Sequence, residues 1–161
     1  MSELLQALYA GDKARADDLL ALAPELNVFE AAASGRTERL RELLDGDPSL
    51  ANAFGDDGFH PLGLACFFGH FEAARLLLAR GADVNALSRN ERIQTAAIHA
   101  AAASGETGTD ESKRYELVKL VLDSGANANL QQGGGSRAIE TARQNGDESV
   151  ERLLKDRGAE D

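Results

Sequence analysis

The chain has 161 residues, 43% of them hydrophobic, which is enough for one domain of ordinary size or for an array of small repeated units. Its formal net charge of −10 argues against a nucleic-acid-binding protein, because phosphate backbones are bound by clustered Lys and Arg side chains. Cys66, the single cysteine, excludes an internal disulfide framework, and the sequence has neither a signal-peptide pattern nor the roughly 18 apolar residues of a membrane span. We therefore expect a soluble, cytoplasmic protein.

Five segments repeat one pattern, in which a short Ala-rich helix, a glycine and a second helix with leucines at helical spacing follow one another. In the third segment, PLGLACFFGHFEAARLLLARGADVN, the residues Ala74, Leu77 and Leu78 mark one face of the second helix. Leu76 widens that face beyond what one partner helix covers, so neighbouring pairs must stack, as in a solenoid. In chain order, the helix pairs are predicted at about 2–26, 28–50, 61–84, 97–128 and 137–158, within a single domain 1–161.

The segment DDGFHPLGLACFFGHFEAARLLLARGADVN, residues 56–85, resembles the ankyrin repeat. It shares that family's glycine, a helix start related to Thr-Pro-Leu-His, a Gly-His pair, a leucine run and a terminal Gly-Ala-Asp-Val-Asn. The resemblance extends to 98–129 once an insertion is removed, and more weakly to the other pairs. It implies an all-α ankyrin-repeat solenoid with projecting β-hairpin fingers between repeats.

The third repeat departs from the ankyrin pattern at its helix start. His60 stands where the family favours Thr, and Gly63 stands where it favours His. Only His99, in the fourth repeat, keeps the family's helix-start histidine. We expect the usual hydroxyl–imidazole network to be lost or rewired in the third repeat.

Spacing between repeats predicts three fingers. We measure each spacing from the terminal asparagine of one pair to the central glycine of the next pair. This spacing is seventeen residues for 52–69 and for 129–146, which leaves room for a finger. The corresponding span 27–35 is only eight, so the first connection has no finger. The span 85–105 is twenty, so its finger, ALSRNERIQT (86–95), is three residues longer than the others.

The fourth pair carries a second insertion, of eight residues (106–113), at the joint between its two helices. Its polar composition predicts a solvated loop that ends with an early start of the second helix at Arg114 or Tyr115. A tolerated insertion is one interpretation, because loop extension costs little closure entropy, and a working part of the molecule is the other. The joint lies opposite the fingers, which favours residues 88–95 as the recognition element. We expect deletion of 107–113 to leave folding and binding largely intact.

No arrangement of reactive side chains predicts a catalytic, cofactor or metal site. Cys66 occupies a position where ankyrin repeats carry a buried alanine, so we expect an inert thiol. His60, His70 and His99 lack metal-ligand spacing with an acidic partner. The QQGGGS run (131–136) lacks the lysine of a phosphate-binding loop. We therefore expect no enzyme activity and no cofactor, with an enzyme grafted onto the fold as a remote alternative.

Phenylalanines concentrate in the third pair, where five of the six lie within residues 54–71. The ankyrin resemblance implies that the fingers and the last turn of each first helix line a concave recognition face. Aromatic side chains rimmed by charge are typical of interface hot spots, although Phe67 or Phe68 packing only against a neighbouring pair is the alternative. The residues predicted to bind a partner are Asp56, Asp57, Phe59, Phe67, Phe68, Arg89, Asn90, Arg92, Gln94, Gln131, Gln132 and Gln144.

We interpret the chain as a non-catalytic protein–protein interaction module and expect a monomer that binds another protein. Nucleic acid and membranes are not expected as partners. The second interpretation is an acidic inhibitor or immunity-type protein that masks a basic enzyme and uses charge for fast association.

Overall fold

The structure is a computed structural model that describes residues 1–22 and 25–161; Ala23 and Pro24, inside the predicted first pair, lie outside the described residues. The described residues contain ten α-helices, two short 3₁₀ helices and no β-strand. The all-α prediction is therefore confirmed, whereas the β-hairpin form of the fingers is not.

None of these helices is long and apolar enough to cross a bilayer. The α-helices are α1 (Glu3–Tyr9), α2 (Lys13–Leu22), α3 (Val28–Ser34), α4 (Thr37–Gly46), α5 (Pro61–Phe67), α6 (Phe71–Ala79), α7 (Ala97–Ala102), α8 (Glu111–Asp123), α9 (Ala138–Gln144) and α10 (Glu148–Asp156), and the 3₁₀ helices are Pro48–Asn52 and Ser104–Thr107.

The helices form two layers. In the first layer, α1, α3, α5, α7 and α9 contact one another in chain order, and each also contacts the helix that follows it. In the second layer, α4 contacts α6, α6 contacts α8, and α8 contacts α10. The first layer is built on fully buried small residues such as Ala32 and Ala65, whereas larger side chains such as Leu40 and Leu77 fill the second layer. Small side chains allow neighbouring first-layer helices to pack closely.

Helix α3 shows how local sequence sets the helix ends. The Asn27 side chain accepts from the Glu30 backbone N–H at 2.9 Å, and the Glu30 carboxylate accepts from the Asn27 N–H at 3.1 Å. At the other end, Gly35 has a φ of +69°, and a Cβ added there would lie 2.5 Å from Nδ1 of His70. Both the backbone conformation and the close approach of the next repeat therefore require glycine.

Three asparagines connect successive repeats through the same pair of hydrogen bonds. Each side-chain nitrogen donates to the carbonyl of the glycine after the next second-layer helix, and each side-chain oxygen accepts from the backbone N–H two residues further on. The six distances lie between 2.8 and 3.2 Å. Backbone groups of one repeat are thus satisfied by the preceding repeat. The connections are Asn52 to Gly81 and Asp83, Asn85 to Gly125 and Asn127, and Asn129 to Gly158 and Glu160.

The insertion in the fourth pair is folded against the third pair. Thr107 donates its hydroxyl to the Phe67 carbonyl at 2.6 Å, at the end of α5. Thr109 packs on the backbone of Gly69, where an added Cβ would overlap the threonine side chain. Helix α8 begins at Glu111, with Asp110 as its N-cap. Most residues of the insertion are exposed to solvent, as expected. The expectation of a loop that continues to Arg114 is wrong, because a 3₁₀ helix occupies its start and α8 begins at Glu111.

Arg114 connects the end of the insertion to the fifth pair. Its Nε donates to Oδ2 of Asp147 at 2.9 Å, and one of its terminal nitrogens donates to the Thr109 carbonyl at 2.6 Å. Only 2% of the Asp147 side chain is exposed, and its other oxygen accepts from the Val150 N–H and the Ser149 hydroxyl. A deletion of 107–113 would remove the Thr107 and Thr109 contacts with the third pair and the carbonyl to which Arg114 donates, so it is not expected to leave folding intact.

We expect Leu77→Ala to lower the free energy of unfolding by about 2–5 kcal/mol, because Leu77 is fully buried in the second layer and its loss leaves a cavity. Urea unfolding followed by circular dichroism measures the change. Leu78→Ala, at the half-buried neighbouring position, is the control and should cost less. Unchanged unfolding of Leu77→Ala would contradict this packing of α6.

We expect Arg114→Ala to cost about 3 kcal/mol, because it leaves the buried Asp147 carboxylate without its cationic partner. The remaining hydrogen bonds from Ser149 and Val150 keep the cost at the low end of the range for a broken buried pair. The comparison is Arg80→Ala, which removes the more exposed pair with Asp45 and should cost less than about 1 kcal/mol. Equal destabilisation by both variants, measured by urea unfolding, would show that burial of the Arg114 pair is irrelevant.

Candidate functional site

A groove of about 340 Å³ lies on the first layer of helices. Its floor contains Gly63 and Leu64 of α5 together with Ala100 and Ala103 at α7. Three loops border it, namely the segments before α5 (53–60), α7 (80–96) and α9 (124–137), which we call the finger loops. The small floor residues leave the space between the loops unfilled.

An aromatic cluster forms one wall of the groove. The Tyr9 ring lies with its centroid 6.1 Å from those of Phe59 and Phe67 and 5.2 Å from that of Phe68. Burial, followed by the negative charge of Asp57, raises the pKa of Tyr9, so its hydroxyl stays protonated at neutral pH. The ring distances show that Tyr9, at the end of α1, extends past α3 to the residues around α5.

Four of the predicted binding residues line the groove. Phe59 and Phe67 belong to the aromatic wall, and Gln132 and Gln144 lie on the side of the third finger loop and α9. Phe68 packs against Tyr9 and Phe67 without lining the groove, with ring centroids 5.2 and 5.3 Å away. Whether these side chains contact a partner stays a prediction.

Five other predicted residues lie in a separate cleft between the first and second finger loops. The Arg89 guanidinium carbon is 4.0 Å from the centroid of the Phe54 ring, and the Asn90 amide donates to the Asp57 carbonyl at 2.7 Å. One carboxylate oxygen of Asp57 is buried without a hydrogen-bond partner in the described residues. The predicted residues of this cleft are Asp56, Asp57, Arg89, Asn90 and Arg92.

The last two predicted residues belong to neither cavity. Gln94 accepts a hydrogen bond from the Gly133 N–H at 2.8 Å through its backbone carbonyl, which joins the second finger loop to the third. Its Cβ lies 3.1 Å from the position that a Cβ on Gly133 would take. Gln131 is exposed on the third finger loop.

Tyr9, Ile93 and Glu106 line the groove but do not belong to the predicted set. Ile93 lies within the long finger that the spacing identified, and its large exposed fraction, 52%, sets it apart. For Tyr9, the one hint in the sequence was the short first connection, which has no finger. Without a finger there, a side chain of α1 has space to reach the groove. Glu106 belongs to the insertion, which residue counting placed at the opposite end from the fingers.

His60 rewires the helix start of the third repeat. Its Nδ1 accepts from the Gly63 N–H at 3.0 Å, as an N-cap side chain does, and its Nε2 donates to the Ala86 carbonyl at 3.0 Å. A Cβ on Gly63 would lie 3.0 Å from the His60 ring, so the glycine makes room for it. One imidazole thus caps α5 and also holds the second finger loop.

His99, the third residue of α7, makes the reciprocal contact with the N-cap residue in the fourth repeat. Its Nδ1 accepts from the Ala96 N–H at 3.1 Å, and its Nε2 donates to the Leu130 carbonyl at 2.7 Å. Burial lowers the pKa of both His60 and His99, and the hydrogen bonds to backbone carbonyls oppose this only in part. Both imidazoles are therefore neutral at pH 7 and serve as connectors between repeats.

The single thiol, Cys66, is buried and protonated. Burial raises the pKa of the Cys66 thiol to about 12, so the nucleophilic thiolate does not form near neutral pH. Within residues 1–22 and 25–161, no three His, Cys, Asp or Glu side chains come together in a way that would hold a metal ion. The groove lining combines apolar side chains with hydroxyl, amide and imidazole groups, so it offers apolar and hydrogen-bonding contacts.

We expect the protein to lose stability as the pH falls below about 6.5, the ordinary pKa of histidine. The unfolded chain takes up protons there while the folded-state imidazoles, whose pKa values are lowered, resist protonation. Each of His60 and His99 contributes a slope of up to about 1.4 kcal/mol per pH unit until its folded-state pKa is reached. Urea unfolding across this range should give a shallower slope for His99→Gln; an identical slope would rule out the buried imidazole as its source.

Comparison with known proteins agrees with this architecture. A family model described as ankyrin repeats (3 copies) matches residues 2–88 and 28–132. Ankyrin repeat and SAM domain-containing protein 6 of Rattus norvegicus is 34% identical over 114 residues, which cover 71% of this chain and 12% of the rat protein. A putative ankyrin repeat-containing protein of Treponema pallidum (strain Nichols) is 32% identical over 127 residues, covering 73% of this chain and 39% of that protein.

A shorter match involves the human DNA-binding protein RFXANK, which is 38% identical over 64 residues, or 40% of this chain and 25% of that protein. The chain thus spans well under half the length of each of these relatives. Ankyrin repeats are generally protein–protein interaction modules and typically have no catalytic activity. With the family match covering most of the helical stack, the chain belongs to the ankyrin-repeat family.

Proposed function

We propose that this chain is a non-catalytic protein-binding module whose partner binds in the groove, through the finger loops and the first-layer helices. The observation that carries the proposal is the groove of about 340 Å³ with Tyr9, Phe59 and Phe67 on one wall. Its size falls within the range of ligand-binding clefts, and half-buried aromatic rings offer contact area at low entropy cost. Such a groove suits the apolar anchor of a protein interface.

The second finger loop supports the proposal because it is held in place without a partner. The Ser88 N–H donates to the Thr95 carbonyl at 2.9 Å, and the Ser88 hydroxyl donates to the Ile93 carbonyl at 2.7 Å. The Asn90 side-chain oxygen accepts from the backbone N–H groups of Arg92 and Ile93. An ordered loop that presents an exposed Ile93 loses little entropy on binding.

Neighbouring finger loops are also joined, which makes one continuous edge along the groove. The Arg89 N–H donates to the Gly58 carbonyl at 2.7 Å, and the Gly133 N–H donates to the Gln94 carbonyl at 2.8 Å. These bonds replace the internal strand ladders expected of β-hairpins. We infer that the loops act as one recognition edge and not as three independent fingers.

The acidic-inhibitor interpretation rests on the net charge of −10. A partner held by that charge would bind outside the groove, because Glu106 is the single Asp or Glu among the groove-lining residues. Its binding would fall steeply with salt, as expected for contacts between exposed charges. The DNA-binding name of RFXANK does not transfer to this chain on charge grounds, since phosphate binding needs a basic surface.

Ala103→Trp tests the proposal by placing a large ring in the groove. We expect it to reduce partner capture from a lysate of the source organism by roughly tenfold, as loss of a hot-spot contact does. The matched control is Ala79→Trp, which adds the same ring to an exposed position of α6 in the second layer. Both variants are first compared with wild type by thermal unfolding.

Proteins captured by wild type and by Ala79→Trp but not by Ala103→Trp, as identified by mass spectrometry, are the groove partners. Capture that survives Ala103→Trp and is lost on addition of salt would favour the acidic-inhibitor interpretation. Equal, salt-resistant capture by all three proteins would place the binding surface elsewhere.

A further inference from the structure

The described residues that line the groove include one acidic side chain and no Lys or Arg side chain. The acidic side chain is Glu106. His60 and His99 are bonded to backbone carbonyls as neutral rings, and the Tyr9 hydroxyl is protonated. The net charge offered to an occupant is therefore negative and located at one point.

Glu106 is exposed and has no ion-pair partner within the described residues. Arg114, whose guanidinium lies beside Gly105, is already paired with Asp147. An exposed carboxylate without a cation is available to an incoming one at little desolvation cost.

The insertion holds Glu106 in position. Its backbone N–H donates to the Ala103 carbonyl at 3.0 Å within the 3₁₀ helix Ser104–Thr107. The next residue, Thr107, is anchored by its hydroxyl to the Phe67 carbonyl at the end of α5. Since Phe67 also belongs to the aromatic wall, the backbone that carries the Glu106 side chain is anchored beside the apolar part of the groove.

The remaining surface divides into an apolar and a polar part. Tyr9, Phe59, Phe67 and Leu64 supply apolar contacts, whereas the amides of Gln132, Gln144 and Asn145 line the opposite part. An occupant with an apolar side chain and free hydrogen-bonding groups, as a peptide segment has, matches both parts.

The geometry points to one class of occupant, a segment of a partner protein in which a large apolar side chain is followed or preceded closely by Lys or Arg. This inference rests on the proposed function. The apolar side chain packs against the aromatic wall, the cation pairs with Glu106, and the peptide backbone bonds to the glutamine amides. An acidic segment finds no cation in the groove, and a second copy of this chain brings its own net charge of −10.

The rest of the molecule favours the same class of partner. The net charge of −10 attracts a basic segment over longer distances and raises its rate of association. The Glu106 pair then favours one orientation of the segment, since the backbone of Glu106 is anchored beside the apolar wall.

Selection from random peptides displayed on phage, with the intact protein immobilised, tests this assignment directly. We expect enriched peptides to combine an aromatic or large aliphatic residue with a nearby Lys or Arg. The affinity of fluorescein-labelled copies is then measured by fluorescence anisotropy. Glu106→Gln should weaken binding about two- to fivefold, and Glu106→Lys about tenfold or more.

Glu116→Gln is the matched control, because Glu116 is an exposed carboxylate of α8 outside the groove and its loss changes the net charge equally. It should leave the affinity nearly unchanged, and added sodium chloride should reduce the difference between wild type and Glu106→Gln. Thermal unfolding checks that both variants keep the wild-type fold.

The outcomes separate this inference from the proposed function. Peptides that bind wild type but not Ala103→Trp, yet lack a basic residue or ignore Glu106→Gln, overturn the inference and leave the groove as the binding site. Peptides that bind Ala103→Trp as tightly as wild type overturn both. Failure to enrich any peptide above background also overturns the inference.

Discussion

The close approach of the first-layer helices is the constraint on which the rest of the structure depends. Ala31, Ala32 and Ala33 in α3 and Ala97 in α7 have no exposed surface, so neighbouring helices meet with almost no side chain between them. Each helix can then be covered on both sides, which no single pair achieves alone. The same small residues continue onto the floor of the groove, for example at Ala103. Close packing and an open binding groove thus have one origin.

Contacts between small apolar side chains do not fix the register between repeats. Hydrogen bonds from polar side chains fix it instead. The asparagine connections and the imidazoles of His60, His70 and His99 each bond to a backbone group of another repeat. Hydrogen bonds are directional, and an unpaired backbone group in the interior is costly, so a shifted register would leave several groups unsatisfied. Stability of the stack and accuracy of the groove therefore rely on the same neutral connectors.

The helical character and the family were predictable from the sequence, because glycine positions and leucine spacing are local signals. Contacts across repeats were not. Tyr9 reaches α5 only because no finger fills the first connection, and residue counting cannot show which side chain takes an empty space. The exchange at His60 and Gly63 was visible as two departures from the ankyrin pattern, yet only the structure shows one ring performing both tasks. The finger loops have no β-ladder hydrogen bonds, because each loop is closed by few backbone hydrogen bonds and also bonds to the neighbouring loop.

The contacts of the insertion in the fourth pair indicate a different role from the one that its position in the sequence suggested. Counting placed it at the joint, away from the fingers, but its first residue, Glu106, lines the groove and its last turn leads to Arg114. Lengthening a loop costs little closure entropy, so the effect of the insertion on the structure depends on the contacts that it makes. It contacts the third pair through Thr107 and the fifth pair through Glu111, which accepts a hydrogen bond from the Ser149 hydroxyl, and it also carries the groove's carboxylate. Stability and recognition are therefore linked in one short segment, and deleting it would change both together. Single substitutions separate them, since Arg114 faces the buried Asp147 whereas Glu106 faces the open groove.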